Sequence, residues 1–162
     1  MRDPLDYAGI YTPHGGLFMF GELPSPYDKK KLCRSKSARY KSMALTREQD
    51  NWMLKWVTSG KMPDLKRVAR ESLLGRHTCV GMTFQVYRKR KIRDRKNLLW
   101  SLDRLLIDPL VRNDILPDDD DEVIWWNAAQ LQDRRQGILV SFGTTTIPCR
   151  SSAVEKARQL YG

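Results

Sequence analysis

The most informative part of the sequence for the fold is residues 80–98, VGMTFQVYRKRKIRDRKNL. In its first half, apolar residues alternate with small or polar ones over residues 80–87, which predicts a strand with one apolar face. A basic run follows at once. Leucines then recur at three- and four-residue spacing from about Asn97, which predicts a helix that Pro109 ends or kinks near Asp108.

Shorter signals on both sides of this stretch complete the predicted fold. Thr46 and Gln49 have capping-box spacing, and Ser152 and Glu155 repeat it, so each pair predicts the start of a helix. Strands mixed with helices, without a regular βαβ repeat, are typical of an α+β domain, here a small mixed sheet flanked by helices. The other predicted elements are strands at 17–20, 123–128 and 138–142 and a helix at 64–74.

The composition indicates a basic globular protein. Lysine and arginine number 29 against 19 acids, which gives a formal net charge of +10. A chain this basic is expected to associate with polyanions, and nucleic acid is the usual one. Three widely spaced cysteines form no disulfide framework or zinc pattern, and the polar start lacks the apolar core of a signal peptide. We therefore expect a soluble protein in a reducing cytoplasm that neither spans a membrane nor binds one.

Basic side chains concentrate in two segments. Seven of the nine residues from 88 to 96 are basic, and each cation that neutralises a phosphate releases counterions, which favours nucleic-acid binding. A solvated surface or a localisation-type patch is the alternative. The candidate nucleic-acid-binding residues are Lys29, Lys30, Lys31, Arg39, Arg88, Lys89, Arg90, Lys91, Arg93, Arg95 and Lys96.

One carboxylate, Asp94, lies inside the basic run and needs an explanation. It relieves charge through local salt bridges, favours a helix start through the helix dipole, or binds a metal ion. Phosphodiester cleavage at neutral pH needs a cation, and Mg²⁺ prefers oxygen ligands. An acidic run at 118–122 precedes the predicted strand at 123–128. If Asp94 binds a metal, we expect it and one acid of that run to meet at one edge of the sheet.

Two further features bear on which ligands the chain could bind. Trp125 and Trp126 are adjacent, so in a strand they face opposite ways. Core or dimer packing is one use for them, and stacking of an exposed tryptophan on a base is the other. There is no phosphate-binding glycine loop, which argues against a small-molecule cofactor.

The order of motifs resembles that of the RusA-like Holliday junction resolvases, small proteins common in phages and prophages. The likeness spans residues 23–145, leaving 1–22 as an N-terminal extension and 146–162 as a C-terminal helix. The matching pieces are Leu23-Pro24-Ser25-Pro26-Tyr27, Arg39-Tyr40-Lys41-Ser42, residues 49–52, the strand at 80–87, Arg93-Asp94-Arg95-Lys96-Asn97-Leu98, Ile115-Leu116-Pro117-Asp118-Asp119, and Val123.

The resemblance implies a dimeric α+β protein that binds branched DNA in a bacterial or phage-infected cell. It also implies Mg²⁺-dependent cleavage by a cluster of aspartates. By this likeness the catalytic candidates are Asp94, Asp119 and Asp120, and Asn97 is the asparagine of the motif. The candidate ligands of Mg²⁺ are Asp94, Asp118, Asp119 and Asp120.

Two positions depart from the family pattern. Lys96 occupies the place of the motif's second aspartate, and Trp100 occupies the place of its lysine. A protonated ammonium has no lone pair for a metal, so Lys96 opposes metal binding. Asp103, Asp108 or Asp114 are the acids that would substitute. A non-catalytic nucleic-acid-binding protein and a module that binds an acidic protein partner therefore remain as alternatives to a nuclease.

Overall fold

The computed structural model describes residues 9–26 and 38–162. No helix in these ranges has a segment both long and apolar enough to cross a bilayer. The strands are β1 (Tyr11–Phe20), β2 (Thr78–Arg88), β3 (Ile124–Gln132) and β4 (Gly137–Pro148). The helices are α1 (Ala38–Ser59), α2 (Met62–Arg70), α3 (Arg95–Leu102), α4 (Asp108–Arg112) and α5 (Ser151–Tyr161), with π-helical segments at Glu71–Arg76 and Asp103–Ile107.

The four strands form one mixed sheet in the order β1-β4-β2-β3. β4 pairs antiparallel with both β1 and β2. β2 and β3 pair in parallel, from Val80 opposite Ile124 to Arg88 opposite Gln132. The predicted α+β class with a small mixed sheet is confirmed. The parallel pair has a consequence for the site, because α3 and α4 must carry the chain from one end of the sheet back to the other.

The helices bury the apolar face of β2, whose side chains at Val80, Met82, Phe84 and Val86 are fully buried. The predicted strand and its apolar face are confirmed, and Gly81 and Thr83 on the other face are buried as well. Trp126 of β3 packs on the same side, with its ring 5.6 Å from that of Phe84 in an edge-to-face arrangement. This cluster is the core that fixes the sheet against the helices.

The opposite face of the sheet carries other aromatic residues. Tyr11 of β1 covers Gly81, where a Cβ would collide with the tyrosine ring. The Tyr11 ring also lies 5.7 Å from that of Trp125. Trp125 and Trp126 therefore face opposite sides of β3, as the sequence predicts, and the glycine is required because the ring lies directly over the backbone.

Two predicted boundaries differ from the structure. Residues 11–20, which the sequence assigns to an N-terminal extension, form an edge strand of the sheet, so these residues belong to the packed domain. α1 begins at Ala38 rather than at Thr46. The expected capping box lies inside this helix, where the side chain of Gln49 donates to the Arg104 carbonyl at 2.7 Å and accepts from Arg112. Gln49 ties α1 to the segment after α3 instead of starting a helix.

The helix predicted after β2 is divided into three parts. α3 passes directly into the π-helical segment Asp103–Ile107, and α4 then begins with Pro109 in its first turn. Because Pro109 has no N–H, it cannot donate to a carbonyl of the preceding turn, which is consistent with a change of hydrogen-bonding pattern at this place. The predicted break near Asp108 is thus present as a change of helix type rather than an end.

Candidate nucleic-acid interface and candidate metal centre

The basic loop, residues 89–94, connects β2 to α3 and is clamped onto β3. The side chain of Ile92 is buried at 7% exposure. Gln130 of β3 holds its backbone from both sides: Ile92 N donates to Gln130 Oε1 at 2.7 Å, and Gln130 Nε2 donates to the Ile92 carbonyl at 3.0 Å. The buried Ile92 side chain and the Gln130 amide therefore anchor the loop on β3, while its basic side chains remain exposed.

The loop has further anchors at its start. The Gln132 side chain donates to the Lys89 carbonyl at 3.0 Å, and Lys89 N donates to Gln136 Oε1 at 3.3 Å. Asp133 N donates to the Arg88 carbonyl at 2.9 Å. These bonds use the loop's backbone and leave its cationic side chains available, so the loop is preorganised without being neutralised.

Two of the predicted basic residues have structural partners. Arg88 is buried and pairs with Glu22 at 2.7 Å while donating to the Arg90 carbonyl. Arg95 donates to the Ala128 carbonyl and to Asn127 Oδ1. Lys89, Arg90, Lys91, Arg93 and Lys96 are exposed.

The other predicted basic residues come earlier in the chain. Lys29, Lys30 and Lys31 lie outside the described residues. Arg39 belongs to α1, and its side chain is not among those described.

Asp94 is the N-cap of α3. Its backbone is extended, and its carboxylate accepts a 2.8 Å hydrogen bond from Lys96 N. Its carbonyl accepts from Asn97 N and Leu98 N. Of the three explanations for this acid, the helix-start role is therefore confirmed by its geometry, since the carboxylate satisfies an N–H that the first helical turn leaves open.

A group of three half-buried carboxylates, which we call the acidic trio, lies at the far end of α3. It consists of Asp103, Asp108 and Asp119, and one oxygen from each lies within 4.8 Å of the other two. Oxygens on opposite sides of a bound Mg²⁺ lie about 4.2 Å apart, so small side-chain rotations would bring these three onto one ion. Among the described residues, this is the group of acids that could hold a metal ion.

The π-helical segment assembles the trio. Asp108 N donates to the Asp103 carbonyl, the five-residue hydrogen bond that defines a π-helix. In an α-helix, residues five apart point about 140° away from each other, whereas the wider π turn places them on nearly the same face. Asp103 and Asp108 thereby face Asp119, which the loop before β3 supplies.

Burial and crowding disfavour the charged forms of the trio's carboxylates. Burial, then hydrogen bonding and repulsion from Asp108 and Asp118, raise the pKa of Asp119 to about 6. Burial, followed by the charge of Asp119, raises the pKa of Asp103. Burial also raises the pKa of Asp108, although Arg104 at 3.3 Å opposes this shift. Crowded carboxylates with raised pKa values are the arrangement that a divalent cation would relieve.

The neighbouring acids of the run 118–122 have other partners. Lys156 of α5 donates to Asp118 at 2.8 Å and to Asp120 at 2.9 Å. The hydrogen bond from Lys156 lowers the pKa of Asp118. Asp120 also accepts from Glu122 N and Val123 N, which shapes the turn into β3. Asp118 and Asp120 thus fasten α5 and the turn, and only Asp119 of the predicted ligands belongs to the trio.

The expectation that Asp94 meets the acidic run at one edge of the sheet is wrong. β2 and β3 are parallel, so the loop after β2 and the loop before β3 lie at opposite ends of the pair. At about 3.3 Å per residue, Val80 and Arg88 at these ends are roughly 25 Å apart. Asp94 and Asp103 also cap opposite ends of α3. The predicted ligand set of Asp94 with Asp118, Asp119 and Asp120 is therefore not brought together.

Because the candidate metal ligands are the acidic trio and not Asp94, the two residues that depart from the family motif are described relative to the trio. Lys96 lies in the first turn of α3, at the end away from Asp103, and is exposed. Trp100 is exposed on the same helix. The cation next to the acidic trio is instead Arg104, which the sequence did not single out.

No protein-family model, no curated protein and no solved structure matches this chain. The resemblance to RusA-like resolvases therefore rests on the sequence motifs alone. Functional proposals for this chain rest on the geometry of the basic loop and of the acidic trio.

Proposed function

We propose that this chain is a DNA-binding protein that acts on branched DNA in the manner of a RusA-like resolvase, as a homodimer. The observation that carries the proposal is the basic loop, where exposed cations project from a backbone that Gln130, Gln132 and Gln136 hold in place. Cations on a preorganised loop bind phosphates with less loss of conformational entropy than cations on a flexible tail. Their release of counterions supplies affinity for any nucleic acid, and the resemblance supplies the preference for a junction.

The binding proposal is tested with a four-way DNA junction and a linear duplex of the same sequence and length. Both are titrated with the protein in EDTA, so that affinity is measured without cleavage. The account predicts tighter binding to the junction and weaker binding of both DNAs by a Lys91→Gln/Arg93→Gln variant. A matched control, Lys66→Gln/Arg70→Gln, removes two exposed cations from α2. Equal affinity for the two DNAs would remove the junction part of the proposal.

We also propose that the acidic trio holds Mg²⁺ and makes the protein an endonuclease. Its three carboxylates supply the oxygen ligands that Mg²⁺ prefers. When bound, such an ion stabilises charge on the transferring phosphoryl group and activates water. The half-buried trio would fix the ion at the sheet end opposite the basic loop. The test is Mg²⁺- or Mn²⁺-dependent nicking of the junction, which should be symmetric if two protomers act.

A non-catalytic DNA-binding protein on the same scaffold is the second candidate. The ion pair between Arg104 and Asp108 at 3.3 Å favours it, because the guanidinium already offsets part of the trio's charge. On this alternative, calorimetric titration with Mg²⁺ gives no binding and the junction stays intact, while salt-dependent DNA binding is retained. Cleavage by the unaltered chain would remove this candidate.

A further inference from the structure

A patch of exposed aromatic and apolar side chains lies on the sheet next to the basic loop. Phe20 is 67% exposed and Leu139 is 42% exposed, and Leu131 is also exposed. The register places Phe18 opposite Leu139, and Tyr87 opposite both Gly137 and Leu131, all at the end of the sheet where β2 runs into the loop. We call Phe18, Phe20, Tyr87, Leu131 and Leu139 the aromatic platform.

The rings of the platform form one connected surface. Those of Phe18 and Phe20 are 4.7 Å apart in an edge-to-face arrangement, and those of Phe18 and Tyr87 are 6.0 Å apart. Phe18 rests directly over Gly137, where a Cβ would collide with it. Gly137 therefore leaves room for the Phe18 ring against the sheet, and Phe20 is the most exposed side chain of the platform.

A cation lies over the platform itself. The Arg135 guanidinium is 5.6 Å from the Phe18 ring and 6.0 Å from the Tyr87 ring. Its turn between β3 and β4 is joined to the basic loop through Gln136, which accepts from Lys89 N. Asp133 in the same turn and Glu22 are the nearby acids, and Glu22 is paired with Arg88. The platform and the exposed cations of the basic loop are therefore one continuous surface.

We propose that the aromatic platform binds unpaired nucleotides, with a base stacked on Phe20 while the phosphates contact Arg135 and the basic loop. Aromatic rings beside a positively charged track are the combination that binds single-stranded nucleic acid, because every base offers a π-face. Bases within a duplex are stacked on one another and do not offer that face. This inference rests on the proposed function, since the same loop supplies the phosphate contacts.

The charge of the patch favours a polyanion over a second copy of the chain. A symmetric dimer through this face would bring two copies of Arg134, Arg135 and the basic loop together, and like charges oppose such contact. A nucleic-acid strand adds negative charge at that place and gains both stacking and counterion release. The occupant assigned to the platform is therefore a single-stranded segment.

The test separates stacking from phosphate binding with substitutions at the most exposed ring. Fluorescence anisotropy measures the affinity of the full chain for a single-stranded oligonucleotide and for a duplex. Phe20→Leu keeps an apolar side chain and removes the π-face, whereas Phe20→Tyr keeps the ring. The matched control is Val57→Ala, an exposed apolar residue on α1. Sedimentation of each variant reports its oligomeric state.

Stacking predicts that Phe20→Leu weakens single-strand binding by at least about fivefold, the loss of roughly one stacked base. Duplex binding should be unchanged, and Phe20→Tyr and Val57→Ala should match the unaltered chain. Unchanged single-strand affinity in Phe20→Leu, with duplex binding retained, would overturn this inference alone. A Phe20→Leu variant that loses dimerisation but keeps its single-strand affinity would identify the platform as a subunit interface instead. Binding to neither nucleic acid would overturn the proposed function as well.

Discussion

The two charged regions of the molecule differ in what holds them in place. Hydrogen bonds to its backbone fix the basic loop, so its cations stay exposed and its geometry needs no ligand. In the acidic trio the functional groups themselves are crowded, and their pKa values are raised. The comparison shows that the geometry of the loop is set by the protein itself, whereas the crowded charges of the trio would be relieved by a cation.

The regions also lie at opposite ends of β2. The parallel β2–β3 pair separates them by about the length of a strand, roughly 25 Å. A duplex rises about 3.4 Å per base pair, so the two regions would contact phosphates several base pairs apart. Binding and metal chemistry should therefore respond independently to mutation, and the predictions below test that independence.

The largest effect is expected on cleavage. Asp119→Asn should lower the rate of Mg²⁺-dependent junction cleavage by about 100-fold or more, because it removes one of three carboxylates that would hold the ion. Asp94→Asn should leave the rate nearly unchanged, since asparagine is an equally good N-cap. Single-turnover cleavage of a labelled junction measures both rates. Loss of cleavage in Asp94→Asn with activity retained in Asp119→Asn would reverse the assignment of the two acids.

A smaller effect is expected on the stability of the loop. Gln130→Ala removes both hydrogen bonds to the backbone of Ile92 and should lower the free energy of unfolding by about 1–3 kcal/mol. The control Gln132→Ala removes one bond to the exposed Lys89 and should cost less than about 1 kcal/mol. Urea unfolding measures both. Equal losses in the two variants would show that the Ile92 clamp has no special part in holding the loop.

The smallest effect concerns the pH dependence of stability without metal. The pKa of Asp119 is raised from 3.8 to about 6, so between these pH values the folded state holds a proton that the unfolded state has lost. Stability therefore falls as pH rises through this window. Asp119→Asn should remove that fall and gain about 1 kcal/mol at pH 8, a value reduced for solvent screening of a partly exposed group.

The pH prediction is measured by urea unfolding in EDTA from pH 4 to pH 8. Adding Mg²⁺ should stabilise the unaltered chain at pH 8 and leave Asp119→Asn unaffected, because a ligand that binds the folded state adds to its stability. The same pH slope for both proteins would contradict the raised pKa of Asp119.

Local sequence patterns predicted the strands and helices, but not the order and direction of the strands in the sheet. The alternation from Val80 to Val86 predicted β2 because one face of a strand is buried. Asp94 was recognisable as a helix start because capping needs only neighbouring residues. Whether β3 runs parallel or antiparallel to β2 is a non-local property. Because β3 runs parallel to β2, the acidic run lies at the end of the sheet opposite Asp94.

The sequence singled out all three acids of the trio, Asp119 as a ligand and Asp103 and Asp108 as possible substitutes, but it did not predict that they converge. Asp103 and Asp108 are five residues apart, a spacing that places them on different faces of an α-helix. They converge because the segment between them is π-helical; Pro109 predicts a break at this place, but not that the break takes the form of a π turn. Asp119 was among the predicted ligands, but its predicted partner was at the wrong end of the helix.

The proposed role of the basic loop as the DNA-binding surface is tested most directly by the salt dependence of duplex affinity. The slope of log Kd against log salt is measured for the unaltered chain, Lys91→Gln/Arg93→Gln and Lys66→Gln/Arg70→Gln. If both loop cations contact phosphates, the first variant lowers the slope by about 1.8, or about 0.9 per contact, and the second leaves it unchanged. Equal slopes for the unaltered chain and the loop variant would contradict the account.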